Sequence, residues 1–238
     1  MASDLAAVSF RTSGCVVEDE PWTSVGSAVL SGAAPWRTFR WYKGQKHYSG
    51  TYWSSTMRDH VIYESRLELS RLLFADFDRS VRGIVAQPFL LKAVLEGKVR
   101  RHIPDYLLIT EQVPMVVDVK PLHRLSMPEV AFTFAWTRRV VESRGWKYEV
   151  WSEPPAVELE NIRFLAGYRR DWLFDDRLLD QVRSVEVNGQ ALAEVVEILS
   201  SQEPAAVRSS VLHLLWRGEL ATDLTAPLGD RHRLRRPA

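Results

Sequence analysis

Charged residues at four separated positions have the types and the order that metal-dependent phosphodiester hydrolysis requires. Glu64 comes first, Asp105 follows the apolar pair Ile103-Pro104, and Asp118 and Lys120 lie two residues apart. Hydrolysis near neutral pH needs an activated water, charge neutralisation on the phosphate and a stabilised leaving oxygen. Mg²⁺ held by a few carboxylates supplies all three, with water in its remaining octahedral positions. The pattern therefore predicts a Mg²⁺ site that cleaves phosphodiesters, and we expect Mn²⁺ to substitute.

Each of these side chains has an expected role. Asp118 and the backbone carbonyl of Val119 would present metal-binding oxygens from one strand. Asp105 would lie beside them, and Glu64 would complete the shell directly or through water. Because residues i and i+2 of a strand share a face, Lys120 would point into the same site as Asp118. There it would orient the attacking water or stabilise negative charge at the phosphate.

A structural alternative exists for the aspartate and the lysine. Asp118 and Lys120 could form a surface ion pair, which contributes little to stability. However, Asp118 interrupts the apolar run 115–117 and Asp105 follows an apolar pair. A carboxylate buried among such residues is costly without a cation, which favours the metal site.

The pattern before Asp105 predicts a helix over 63–77. At the helical period, Glu64, Glu68 and Arg71 share a narrow polar face, and leucine and phenylalanine cover the rest. This helix would deliver Glu64 to the site. Glu68 is expected to partner a basic residue on the helix face rather than to bind metal directly.

The region after this helix is predicted to be rich in strands. Short turns separate the strands, so neighbours should pair as an antiparallel meander and place Asp105 and Asp118 on adjacent strands. A second helix over 128–143 and a last strand over 146–151 should follow. The predicted strands of the meander cover 84–86, 89–95, 99–109 and 115–120.

Three parts are expected along the chain. Residues 1–35 form an adaptor that includes a hairpin over 8–18, residues 36–153 form the domain with the site, and Glu153-Pro154-Pro155 breaks the chain. Residues 156–238 carry helical patterns followed by two short strands, which indicates a mostly helical, winged-helix-like domain. The fold class is therefore α/β, with a mixed sheet flanked by helices.

The composition limits the class of protein. A chain of 238 residues with 46% hydrophobic content can bury a core without covalent staples. Its one cysteine, Cys15, excludes an intramolecular disulfide framework and a cysteine-rich zinc cluster. The N-terminus has no signal-peptide pattern and no stretch is long and apolar enough to cross a bilayer, so we expect a soluble cytoplasmic protein with no membrane partner.

The segment 36–60 is both cationic and aromatic. Such a surface could neutralise DNA phosphates and stack on sugars or bases. Alternatively, the aromatic residues pack as core and the basic residues form a solvated rim. The candidate DNA-binding residues are Arg37, Arg40, Lys43, Lys46 and His60.

The motifs 63–68, 87–89, 103–106 and 117–121 together resemble those of the PD-(D/E)xK nucleases. More closely, residues 36–152 are similar to the TnsA-type endonuclease subunit of heteromeric transposases. The resemblance implies a restriction-endonuclease-like fold and Mg²⁺-dependent cleavage of the 5′ strands at transposon ends in double-stranded DNA. It also implies two partners: a DDE transposase that cuts the 3′ strands and an AAA+ ATPase that regulates the assembly. The C-terminal domain is the candidate contact for the ATPase.

On this resemblance, Glu64, Asp105, Asp118 and Lys120 fall on the family's catalytic positions. The family often has a neutral residue where Asp118 stands, so that position does not separate transposon endonucleases from restriction-type relatives. Gln87 matches a recurrent Gln-Pro pair, for which a structural role or support of the catalytic side chains is expected, with catalysis as the alternative. His60 and His102 flank the site, and each is expected to form hydrogen bonds or contact phosphate rather than bind metal. The role of His123, just after Lys120-Pro121, is open.

Two other functions stay open at this point. The chain could be a stand-alone restriction or repair nuclease of the same fold, which would cut DNA without a partner. It could instead be a non-catalytic DNA- or protein-binding module with a relict site, although the retained Lys120 argues against that.

Overall fold

The computed structural model describes residues 6–37 and 48–237. The chain divides into two compact units, Met1–Glu153 and Pro154–Ala238. Two consecutive prolines, Pro154 and Pro155, begin the second unit. Proline has no backbone N–H and restricts the residue before it, so neither a helix nor a ladder continues easily through this point.

The first unit is mixed α/β, with several sheets flanked by helices. Its strands are β1 (Ala6–Arg11), β2 (Val16–Pro21), β3 (Gly50–Ser54), β4 (Asp59–Tyr63), β5 (Val81–Ala86), β6 (Leu90–Leu95), β7 (Lys98–His102), β8 (Tyr106–Thr110), β9 (Met115–Val119) and β10 (Lys147–Trp151). Its helices are α1 (Ser27–Ser31), α2 (Arg66–Phe77) and α3 (Pro128–Glu142). The strands form one sheet in the order β2-β1-β6-β7, a second in the order β10-β9-β8-β5, and the hairpin β3-β4. In the second sheet β10 is parallel to β9, because α3 crosses over between them.

The N-terminal segment is part of this unit. The predicted hairpin is confirmed, since β1 and β2 pair antiparallel, but β1 also pairs with β6. Val8, Phe10, Trp22 and Leu30 are buried in the same core as the later strands. The Trp22 indole also donates a 2.9 Å hydrogen bond to the carbonyl of Val140 in α3. The segment predicted as an adaptor therefore supplies core residues to the first unit.

The single strand predicted over 99–109 is wrong. β7 ends at His102 and β8 begins at Tyr106, and the two strands belong to different sheets. Pro104 has no backbone N–H to donate to a ladder, and it disfavours a helical conformation at Ile103. The pairing of β7 therefore stops before Pro104, and the chain leaves one sheet here and enters the other. This change of sheet places Asp105 directly before β8.

The predicted meander is partly confirmed. β6 pairs antiparallel with β7, and β8 pairs antiparallel with β9. β5 does not continue into β6; it pairs with β8. Gln87 has a left-handed backbone with φ of 46°, and Pro88 follows it, so the chain turns out of the β5 ladder at this point.

The helix predicted over 63–77 begins later than expected. Ser65 is the N-cap residue and α2 starts at Arg66, so Glu64 lies before the helix and not on its polar face. The hydroxyl of Ser65 accepts a 3.1 Å hydrogen bond from the Glu68 N–H, which satisfies an amide that the first helical turn leaves unpaired. The later predictions of a helix near 128–143 and a strand near 146–151 are confirmed by α3 and β10.

The second unit is mostly helical. Its helices are α4 (Ala156–Leu165), α5 (Asp176–Ser184), α6 (Leu192–Ile198) and α7 (Pro204–Trp216). The predicted helical patterns are confirmed by these helices, and α4 is followed by short 3₁₀ turns. The two predicted C-terminal strands appear as isolated bridges between Ala191 and Arg233 and between Ala221 and Arg235. In the described part of both units, no helix combines the length and the apolar character that crossing a membrane requires.

Candidate active site

The two aspartates lie together at one end of the second sheet. Tyr106, the first residue of β8, is opposite Val117 in β9, so Asp105, directly before β8, lies beside Asp118 of β9. The Asp105 carboxylate accepts a 2.7 Å hydrogen bond from the Val119 N–H. This bond ties the segment before β8 to the end of β9. The prediction that adjacent strands bring the two aspartates together is therefore confirmed.

The aspartate pair concentrates negative charge. Burial raises the pKa of Asp105 well above its usual range, and the charges of Asp118 and Glu68 raise it further. The Val119 N–H and the Lys120 ammonium act in the opposite direction but more weakly. A cation beside Asp105 would therefore relieve an unfavourable concentration of carboxylates.

Asp118 is almost completely buried, with 2% of its surface exposed, and has strong polar partners. His102 Nε2 lies 2.8 Å from both carboxylate oxygens, and the Tyr148 hydroxyl donates a hydrogen bond to one of them. Because a carboxylate only accepts, the ring nitrogen of His102 that faces it carries a proton. Burial and the neighbouring Asp118 charge raise the pKa of Tyr148, which keeps its hydroxyl protonated as a donor. The two partners fix the orientation of the Asp118 carboxylate.

His102 was expected to form hydrogen bonds beside the site, and it does. Tyr148 is a site residue that the sequence patterns did not indicate. It comes from β10, and only the parallel pairing of β10 with β9, which sets Val150 opposite Asp118, brings it to the site. An aromatic residue in a predicted last strand gives no separate signal for such a contact.

Glu64 and Glu68 lie next to each other at the start of α2. One Glu68 oxygen accepts a 2.7 Å hydrogen bond from the Glu64 N–H, and the other accepts a 2.9 Å hydrogen bond from the Ser65 hydroxyl. Burial raises the pKa of Glu68. Glu68 thus completes a helix cap, where a basic partner on the helix face was expected. The Glu64 carboxylate is 3.6 Å from the Arg37 guanidinium.

Lys120 follows the last residue of β9. Its N–H donates a 2.9 Å hydrogen bond to the Trp151 carbonyl, and its own carbonyl accepts a 2.7 Å hydrogen bond from the Ser152 hydroxyl. The backbone is therefore held between β9 and the end of β10, while the side chain lines the same cavity as Asp105 and Asp118. Among the described residues the Lys120 ammonium has no ion-pair partner within 4.0 Å.

Gln87 connects the site to the segment that carries Arg37. Its side-chain oxygen accepts a 3.0 Å hydrogen bond from the Arg37 N–H, and its carbonyl accepts one of 3.0 Å from the Trp36 N–H. Its own N–H donates to the Asp105 carbonyl at 2.8 Å. These contacts agree with the structural role expected for Gln87, and they need the left-handed backbone that a residue other than glycine adopts at a free-energy cost.

Two cavities meet over these residues. The first has a volume of about 480 Å³ and contains both aspartates, and the second has a volume of about 580 Å³. Both are lined by the same group of side chains: Arg37, Glu64, Glu68, Val119 and Lys120. The cavities are therefore two lobes of one groove, which we call the carboxylate groove.

The candidate DNA-binding residues are distributed differently. Arg37 lines the carboxylate groove, whereas His60 lines a separate cavity of about 160 Å³ together with Met57 and Ile84. The aromatic residues of this segment are also mixed in character, since Tyr52 is buried and Tyr48 is exposed. The other candidates, Arg40, Lys43 and Lys46, lie outside the described residues.

No protein-family model matches the chain, and a search of curated proteins found no significant relative.

The donor set fits a hard divalent cation that keeps water in its shell. Asp105 and Asp118 provide carboxylate oxygens, and Val119 lines the groove beside them. The N–H and C=O of a strand residue face the same neighbour, so the Val119 carbonyl faces the side of Asp105. Mg²⁺ prefers such oxygens and retains several waters. Within residues 6–37 and 48–237, no three His, Cys, Asp or Glu side chains are arranged as a ready-made cage for an ion.

Proposed function

We propose that the chain is a Mg²⁺-dependent DNA endonuclease with a restriction-endonuclease-like core of the PD-(D/E)xK type. The observation that carries the proposal is the position of Asp105 and Asp118 on adjacent strand ends, with Lys120 in the same groove. Carboxylates placed to hold a cation and an ammonium placed to meet a phosphate are the parts that phosphodiester hydrolysis requires.

The side chains divide the work as follows. Asp105, Asp118 and the Val119 carbonyl would hold Mg²⁺, which when bound supplies positive charge at the scissile phosphate and makes the attacking water more acidic. Lys120 stabilises negative charge on the phosphate oxygens as the bond breaks. His102 and Tyr148 orient the Asp118 carboxylate.

The negative charge of Glu64 at the same groove has two roles consistent with its position. It helps to attract a hydrated cation, and its contact with Arg37 holds that guanidinium at the groove. The contact spans 3.6 Å and is partly exposed, so its contribution to stability is small. Its value lies in placing a cation where the DNA backbone would pass.

We further propose that the enzyme is the TnsA-type subunit of a heteromeric transposase and cleaves the 5′ strands at transposon ends. The support is the resemblance of its motifs, now joined by the proximity of the same residues in the fold. The proposed partners are a DDE transposase and an AAA+ ATPase, with the second unit as the candidate contact for the ATPase.

Strand-specific cleavage tests both proposals. The full chain is incubated with a labelled duplex carrying the transposon end and with Mg²⁺, with and without the transposase. We expect 5′-strand nicking that requires the partner and falls by about 10²–10³-fold in Lys120→Ala, the range typical for loss of one charge-stabilising group. Asp105→Asn should also be inactive, while Arg82→Ala, at the far end of β5, should cut normally.

The outcomes separate the alternatives. Cutting without a partner would support a stand-alone nuclease and contradict the transposase assignment. Equal cutting by wild type, Asp105→Asn and Lys120→Ala would contradict the catalytic assignment itself.

A further inference from the structure

We propose that Arg101 and Arg124 bind the two phosphates on either side of the scissile phosphate, one in each lobe of the carboxylate groove. The inference rests on the proposed nuclease function and adds the path of the cleaved strand. Neither arginine was among the candidate DNA-binding residues.

The two lobes of the groove differ in their arginines. Arg101 lines only the lobe that contains Asp105 and Asp118, and Arg124 lines only the other lobe. Lys120 lines both, so it lies where the lobes meet. Arg37 also lines both lobes, so two cations lie where the lobes meet and each lobe has one further arginine of its own.

The two arginines carry charges that no nearby carboxylate of the described residues neutralises. Both side chains are exposed, and within the described residues neither has an ion-pair partner within 4.0 Å. Asp19 feels the charge of Arg101 but is already paired with Lys92 at 2.6 Å. By contrast, the exposed Arg82 is paired with Glu111. The guanidiniums of Arg101 and Arg124 are thus available to an anion.

Both arginines lie on backbone that hydrogen bonds hold in place. Arg101 lies in β7 and pairs in register with Lys92 of β6. Arg124 ends the 3₁₀ turn Leu122–Arg124, whose first N–H donates a 2.9 Å hydrogen bond to the Glu153 carboxylate. This bond lowers the pKa of Glu153, as expected for a carboxylate held by a backbone donor.

The regular spacing of phosphates along a nucleic-acid strand matches this arrangement of cations. A nucleic-acid strand carries one phosphate per nucleotide, so a phosphate placed at Lys120 has a neighbour on each side along the chain. A strand that follows the groove through both lobes brings one neighbour toward Arg101 and the other toward Arg124. Guanidinium groups bind phosphate oxygens in a bidentate manner, which suits this positioning role.

Equilibrium binding tests the role of the two arginines without cleavage. A fluorescent mixed-sequence duplex is titrated with the full chain in Ca²⁺ in place of Mg²⁺, at several salt concentrations. We expect Arg101→Ala and Arg124→Ala each to bind about 3- to 10-fold more weakly, and each to reduce the slope of log affinity against log salt by about 1. Arg82→Ala should match wild type, and Arg101→Lys and Arg124→Lys should retain most of the slope, which excludes misfolding as the cause.

Neutralising single phosphates tests which arginine contacts the phosphate on each side of the scissile phosphate. Methylphosphonates are placed one at a time along the cleaved strand of the transposon-end duplex, and cleavage is measured in Mg²⁺ with the transposase present. The methylphosphonate on one side of the cleavage site should slow cleavage by wild type but cause no further loss in Arg124→Ala. The methylphosphonate on the other side should slow cleavage by wild type but cause no further loss in Arg101→Ala.

Three results would overturn the inference. Unchanged affinity and salt slope in both alanine variants, while wild type binds DNA, would show that the arginines do not contact the backbone. Loss of sensitivity to the same substituted phosphate in both variants would contradict the two-sided path. Failure of wild type both to bind DNA alone and to cleave the transposon end with the transposase present would overturn the proposed function, and this inference with it.

Discussion

The Nε2 atom of His102 lies 2.8 Å from both carboxylate oxygens of Asp118, a side chain that is almost completely buried. The carboxylate is therefore held by a proton donor at the centre of its two oxygens and by the Tyr148 hydroxyl at one of them. Residues that orient a metal-binding side chain in this way strongly affect metal affinity. A cation that binds Asp118 must do so in the orientation that these two donors set.

Removal of the imidazole should weaken metal binding. We expect His102→Ala to raise the Mg²⁺ concentration for half-maximal cleavage by about 10- to 100-fold, the usual effect of losing such a partner. His102→Gln retains an N–H donor and should lose less. Calorimetric titration with Mn²⁺ in the absence of DNA should show the same order. His60→Ala is the matched control for this titration, since His60 lines a different cavity.

Equal Mn²⁺ affinity in wild type and His102→Ala would contradict this role. Tyr148→Phe provides a second test, because it removes one donor and leaves the ring in place. We expect an effect smaller than that of His102→Ala, since His102 contacts both oxygens and Tyr148 only one.

Local signals predicted the aspartate pair but not the parts that depend on tertiary pairing. Asp105 and Asp118 were expected on adjacent strands, because short turns favour antiparallel neighbours. The predicted position of Glu64 on the helix was wrong. The Ser65-to-Glu68 spacing is a capping-box pattern, which marks Ser65 as the N-cap residue and places Glu64 before the helix. Leucine-rich periodicity extends through such a cap, so periodicity alone places the helix start too early.

The change of sheet near Pro104 could be anticipated only in part. Proline indicates that a ladder stops, but it does not specify which sheet the chain enters next. That choice follows from long-range pairing of β1 with β6 and of β5 with β8, which no local pattern encodes. The contact of Tyr148 with Asp118 depends on the same kind of pairing.

The raised pKa of Asp105 predicts a stability change with pH. Its carboxylate binds a proton more tightly in the folded chain than in the unfolded one, so ionisation destabilises the fold as pH rises above about 4. Asp105→Asn removes this penalty. In metal-free buffer we expect the variant to melt at a higher temperature than wild type at pH 7, with the difference shrinking toward pH 4. A difference of 1 kcal/mol corresponds to about 2–4 °C.

Two controls define this experiment. Asp59→Asn alters a side chain that is 81% exposed, and its stability should stay within about 0.5 kcal/mol of wild type at all pH values. Mg²⁺ should stabilise wild type more than Asp105→Asn, because binding to the folded state raises stability by mass action. A lower melting temperature for metal-free Asp105→Asn at pH 7 would contradict the electrostatic explanation.

The cap at the start of α2 allows structural and chemical roles of Glu68 to be separated. Ser65→Ala removes the N-cap hydroxyl and should lower the free energy of unfolding by about 1 kcal/mol. Ser13→Ala, at an exposed turn, should have little effect. Glu68→Gln retains an acceptor oxygen for the Glu64 N–H, so we expect stability within about 0.5 kcal/mol of wild type in urea unfolding.

Cleavage by Glu68→Gln then reports on the charge alone. If the cap is the whole role of Glu68, this stable variant should cut DNA at the wild-type rate. A large loss of cleavage without loss of stability would show that the carboxylate also acts in the reaction.

Asp76 holds the hairpin β3-β4 against α2. It is completely buried and accepts hydrogen bonds from the Tyr52 hydroxyl at 2.8 Å and the Ser54 hydroxyl at 2.6 Å. It also accepts hydrogen bonds from the N–H groups of Ser55 at 3.0 Å and Thr56 at 2.8 Å. A single carboxylate thus satisfies donors from the strand, the turn and the neighbouring side chains.

Asp76→Ala should therefore be among the most destabilising single substitutions in the first unit. It leaves several buried donors without an acceptor, so we expect a loss of about 3–5 kcal/mol in urea unfolding. Glu18→Ala, at an exposed position, should change stability by less than about 0.5 kcal/mol. Because β4 leads directly to Glu64 and α2 carries Glu68, the loss should also reduce DNA cleavage at temperatures where the fold is still populated. A loss below about 1 kcal/mol would show that water replaces the carboxylate, and that the hairpin is held in place by its apolar contacts.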